Sequence, residues 1–102
     1  MIEYVPDAGD VVWLRLAAGP QAVLVISAQA YNRRVGRMLC CPVTADLKGY
    51  PFEVPLGGDP ASAALADQLT TLDWRPRDAQ LRGRAEPHAL NAVRKLAKVL
   101  IG

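Results

Sequence analysis

Hydrophobic and polar positions change rhythm along this chain, from the two-residue period of strands through most of its length to a three-and-four spacing at the end. Val11 to Leu16 (VVWLRL) mixes β-branched, aromatic and polar residues, with Arg15 facing away from its leucine neighbours, and predicts a first strand. Ala17 to Pro20 is a short connection, after which the apolar run Gln21 to Ser27 (QAVLVIS) predicts a central strand paired with the first as a hairpin. Ala28 to Gly36 reads as a polar linker. Arg37 to Cys41 reads as a third strand whose ladder Pro42 ends, Thr44 to Lys48 as a loop, and Tyr50 to Val54 as a fourth strand.

Beyond Val54, Pro55 to Pro60 (PLGGDP) predicts a mobile surface loop, and the alanine-rich Ala61 to Gln68 favours neither helix nor strand. Leu69 to Trp74 reads as a strand and Ala79 to Arg84 as a short edge strand. Pro87 suits a first helical position. Leu90, Val93, Leu96, Ala97 and Leu100 then recur at spacings of three and four, predicting an amphipathic helix from Pro87 to Ile101 with Asn91, Arg94, Lys95 and Lys98 on its wet face. Met1 to Asp10 is a turn-rich entry anchored by Tyr4. The pattern implies a mainly β, α+β fold: a small twisted barrel or partly open sheet with one closing helix.

Composition narrows the classes. A chain of 102 residues is expected to form one domain, residues 1–102, near the size at which a partner surface adds stability. With 51% hydrophobic and 22% charged residues it is not a disordered chain, and a net charge of +2 favours a polyanion only mildly. Two basic groups, Arg33, Arg34 and Arg37, and Arg75, Arg77, Arg82 and Arg84, are local candidates for a phosphate backbone or ordinary solvated turns. The adjacent Cys40 and Cys41 would point to opposite faces of a strand, so no disulfide is expected between them. They and His88, placed in the first turn of the helix, do not have metal-ligand spacing, and no metal or other cofactor is expected. Without a signal peptide or a membrane-length apolar run, the cytoplasm is the expected location.

Taken in order, YVPDAGDVVWLRL, VLVISAQAYNRRVG, CCPVTADLKGYPFEV and LADQLTTLDWR, followed by the amphipathic helix, resemble the MazF and PemK family of toxin endoribonucleases over nearly the whole chain. The resemblance implies an SH3-like small β-barrel of the MazF, PemK and CcdB type, a homodimer, a cognate antitoxin partner, and metal-independent cutting of single-stranded mRNA at short sequences. It implies attack by a 2'-hydroxyl on the neighbouring phosphate. Thr44 matches the family's catalytic threonine, a phosphate donor but a poor unaided base. Asn32 matches a base-contacting asparagine, with Arg33 beside it, and Asp67 and Gln68 match an acidic residue and a glutamine of the RNA-binding face. Lys48 is placed as a phosphate contact and Tyr50 as a stacking platform, while Trp74 is assigned mainly to the core.

Three departures stand out. The family's longer connection between the first two strands is reduced here to Ala17 to Pro20, and Gln21 stands where its catalytic arginine is expected. Glutamine lacks that residue's charge and planar fork, leaving Arg15 or Arg37 as substitutes. Ala45 replaces a second hydroxyl. The alternative expectation is therefore a catalytically impaired member that dimerises and binds antitoxin and RNA. A gyrase-type poison on the same fold is a third reading.

Overall fold

The computed structural model describes residues 3–102; Met1 and Ile2, the start of the turn-rich entry, lie outside the described residues. Among the described residues seven strands form one curled sheet: β1 (Asp10–Leu16), β2 (Gly19–Val25), β3 (Arg37–Thr44), β4 (Glu53–Gly57), β5 (Ser62–Leu65), β6 (Thr70–Asp73) and β7 (Gln80–Arg84). Their spatial order is β4-β5-β3-β2-β1-β7, with β6 also paired to β3. Helix α1 (Gln29–Val35) links β2 to β3, and α2 (Pro87–Ile101) closes the chain.

Strand alternation divides the core in two. Val23 and Val25 of β2 with Met38 and Cys40 of β3 enter one cluster, together with Val12, Leu14 and Trp74. Their neighbours Leu24, Ile26 and Cys41 enter the other, which Val93 and Ala89 of α2 cover. Both faces of the central strands are therefore buried, which is why QAVLVIS and MLCC are continuous apolar runs. The two thiols do point to opposite faces. Burial pushes Cys40 up from 9.0 to about 11 and Cys41 from 9.0 to about 12.

Four expectations are corrected. The linker before β3 is a helix. Its apolar stripe is missing because its inward side chain is Asn32, and its first N–H is capped from a distance, Gln29 N donating to Asp7 Oδ1 at 2.9 Å. Gly36 ends it at φ 77°, where a side chain would meet Arg75 within 2.8 Å. Pro42 does not end β3. The strand changes partner there, from β6, last paired at Cys40, to β5, first paired at Val43, so the missing N–H falls between two ladders. The fourth strand starts at Glu53, after a turn at Pro51 and Phe52, and takes in Pro55 to Gly57 of the expected loop. On α2 the buried positions are Ala89, Val93 and Ala97, whereas Leu100 is half exposed and Arg94 leaves the wet face to donate to Ile26 O at 2.9 Å.

Asn32 latches α1, the entry segment and β2 together. Its amide donates to Pro6 O at 2.8 Å and Ser27 O at 3.0 Å, its Oδ1 accepts from Ser27 Oγ at 2.6 Å, and its carbonyl accepts from Trp74 Nε1 at 3.0 Å. Asn32→Leu is expected to lower stability by about 3 kcal/mol by stranding two carbonyls and a hydroxyl, read as a lower urea midpoint with an unchanged slope. The thiols supply a pH test. Their folded values are raised, so the stability they contribute is complete below pH 9 and is lost as pH rises towards about 12. Moving from pH 8 to pH 10.5 is expected to cost roughly 4 kcal/mol in urea unfolding, about half of it from each thiol, and a disulfide reagent at pH 8 should label the thiols only after unfolding.

Candidate active site

β3 delivers Thr44 to the rim of the sheet. Paired with Ala63 of β5, this residue is the last of a strand and not part of a loop, so its side chain is set by the sheet. Asp46 N donates to Thr44 Oγ1 at 3.0 Å. That bond uses the oxygen as acceptor and leaves the O–H proton free to donate outwards.

Thr44 is a ridge between two concavities. On one side a recess of about 250 Å³ is lined by Thr44, Asp46, Lys48, Tyr50, Glu53, Leu65, Asp67 and Gln68. It is smaller than clefts that bury drug-sized ligands, roughly 300–1,000 Å³, and is scaled to one unstacked base. Its walls carry an exposed phenol ring, an ammonium, a primary amide and carboxylates, a set that can stack on a base and both donate to and accept from its edge. On the other side a groove of about 420 Å³ runs past Gln21, Thr44, Ala45, Ser62, Trp13 and Arg82.

The loop carrying Lys48 is pinned by Glu53. Its carboxylate accepts from Lys48 N at 3.0 Å and from Gly49 N at 2.9 Å, and its own N–H donates to Tyr50 O at 3.1 Å. Lys48 Nζ lies 3.8 Å from Asp46 on this exposed loop. Glu53 escaped the sequence reading because its glutamate stands at a strand start, with no local signal that it folds back on the preceding turn. Arg82 entered that reading only as one of four arginines in a short basic stretch, with no local signal to single it out.

Of the expected site residues, Thr44, Lys48, Tyr50, Asp67 and Gln68 come together in the recess, and Gln21 joins Thr44 in the groove. Asn32 and Arg33 do not join them. Asn32 has no exposed surface and all its polar atoms are engaged, so in this fold it holds backbone and presents nothing to a base. Arg33 is exposed, but its helix joins the opposite end of β3, seven residue steps or about 23 Å of strand from Thr44. Arg37 is at that far end, paired with Asp73 at 3.0 Å. Arg15 faces Asp78 at 4.0 Å and lines a neighbouring recess. Trp74 is a core residue.

Residues 7–101 match the family model described as PemK-like, MazF-like toxin of type II toxin-antitoxin system. This chain belongs to that family. The Endoribonuclease toxin MazF of Escherichia coli K12 is 40% identical over 107 residues, 97% of this chain and 96% of its own. A chain of the MazE-MazF crystal structure from Deinococcus radiodurans superposes with a TM-score of 0.90 at 44% identity, covering 98% of both chains. A mycobacterial endoribonuclease solved with its cognate antitoxin shares the fold, with a TM-score of 0.82 at 22% identity over 95% of both chains. The curled sheet with its C-terminal helix is thus the MazF fold. The first hairpin is closed by Ala17 and Ala18 alone, Leu16 pairing with Gly19.

Glu53→Ala is expected to accelerate hydrogen exchange at the Lys48 and Gly49 amides at least tenfold while lowering global stability by less than about 2 kcal/mol. Unchanged exchange at those two amides would show that the loop is held by something else.

Proposed function

We propose that this chain is the toxin of a type II toxin-antitoxin pair and acts as a metal-independent, sequence-specific endoribonuclease on single-stranded mRNA, halting translation and growth. The observation that carries this reading is the whole-length likeness to a MazF protein named for endoribonuclease activity. It works as a homodimer in the cytoplasm, neutralised by a cognate antitoxin as its Deinococcus relative is paired with MazE. Among the described residues no helix is long and apolar enough to cross a membrane. Neither the impaired-enzyme alternative nor the gyrase-poison reading draws support from these relatives.

In the proposed reaction the 2'-oxygen forms a bond to phosphorus as the bond to the 5'-oxygen breaks. The 2'-proton leaves to water, the electron pair of the broken bond goes to the 5'-oxygen, and that oxygen takes up a proton. The products are a 2',3'-cyclic phosphate and a free 5'-hydroxyl. Thr44 donates to a phosphate oxygen as charge builds there. Tyr50, Asp67 and Gln68 read and stack a flanking base, and Lys48 steadies the strand as a point charge. Gln21 shapes the groove wall.

A long single-stranded RNA incubated with the protein in EDTA is expected to be cut at one short sequence, with new 5'-hydroxyl ends. Thr44→Ala should slow cutting about a hundredfold and Thr44→Ser restore much of it. Absence of cuts by the folded protein would overturn the ribonuclease reading.

A further inference from the structure

Charge accumulating on a phosphate in the transition state is stabilised more strongly by a cation than by neutral donors alone. Gln21 does not provide it. Its Nε2 donates to Ala22 O at 2.8 Å and to Val43 O at 3.2 Å, so both amide hydrogens are occupied. What Gln21 has left is a carbonyl oxygen, which repels an anion. Among the described residues lining the groove beside Thr44, Arg82 is the one with a charge.

The other basic side chains near the site each face a carboxylate. Arg15 faces Asp78, Lys48 faces Asp46 on the far side of the Thr44 ridge, and Arg84 lies 2.9 Å from the buried Asp10. Arg82 has no carboxylate within ion-pair distance among the described residues. Its guanidinium instead lies over the Trp13 ring, 5.3 Å from the centroid, on the wall of the same groove. Such stacking orients the flat group while leaving its N–H edge available.

The backbone accounts for this placement. β7 pairs Gly83 with Val11 but Leu81 with Val12, so Arg82 is the extra residue of a bulge opposite β1. A bulge turns its side chain away from regular alternation. Here it turns a guanidinium into the groove.

We propose that Arg82 holds the scissile phosphate against Thr44, supplying the charge that Gln21 cannot. This rests on the ribonuclease reading for the identity of the phosphate. The test compares Arg82→Gln, Arg82→Lys and, as control, Lys95→Gln on the exposed side of α2. Two quantities are read: single-turnover cutting of the long RNA in EDTA, and binding of an uncleavable 2'-deoxy strand of the same sequence across a salt series. Arg82→Gln is expected to cut about a hundredfold more slowly, with the slope of log affinity against log salt reduced by about 0.7. Arg82→Lys should recover most of that slope but less of the rate, because an ammonium lacks the fork. Lys95→Gln should change neither. A cutting rate for Arg82→Gln within twofold of wild type, or an unchanged slope, would overturn the proposal. Should wild type cut nothing, the ribonuclease reading falls, and the slope alone decides whether Arg82 holds a phosphate.

Discussion

Every layer of this molecule is tied to β3, a strand buried on both faces and paired on both edges. It holds β2 along one edge, and β6 followed by β5 along the other. Cys40 and Cys41 project into the two separate clusters of the core. Displacing this strand by one residue would exchange the two sets of side chains and empty both clusters, so its register is strongly specified. Pro42 is compatible with that role only because the edge partner changes beside it.

The geometry at Thr44 follows from that constraint. A hydroxyl at the tip of a doubly anchored strand needs no ordering when substrate arrives, and catalysis by fixed donors depends on such preorganisation. The remaining parts are less rigid and sit on either side of the ridge. The recess depends on Glu53 gathering the loop that carries Lys48 and Tyr50, while the groove depends on the first hairpin and on β7. A hairpin closed by two alanines leaves that groove open, and its charged lining residue, Arg82, comes from β7, the strand across β1.

A second set of polar contacts holds the opposite end of β3. Asp7 caps α1, Asn32 ties the helix to the entry segment, and Asp10 accepts from Tyr4 at 2.6 Å while facing Arg84. Burial and the adjoining Asp10 carboxylate push the Tyr4 phenol up. These groups are as polar as any in the site, yet they are engaged with one another, Asp10 Oδ1 through its ion pair with Arg84 alone. An asparagine inside a family-like segment is therefore structural here, and its sequence match alone misplaces it.

Hydrophobic rhythm by itself determined the strand-rich body, the first hairpin, the divergent thiols and the limits of α2, because these are local consequences of burial on one or two faces. The several-residue segments around Thr44, Lys48 and Gln68 determined the family and most of the recess. The tertiary structure decided what depends on partners far along the chain: a helix capped by Asp7, a proline carried through a strand by a change of neighbour, and an asparagine withdrawn into the core. It also decided which arginine reaches the groove. Arg82 is indistinguishable in sequence from Arg75, Arg77 and Arg84, and only the bulge against β1 and the Trp13 ring beneath it set its direction.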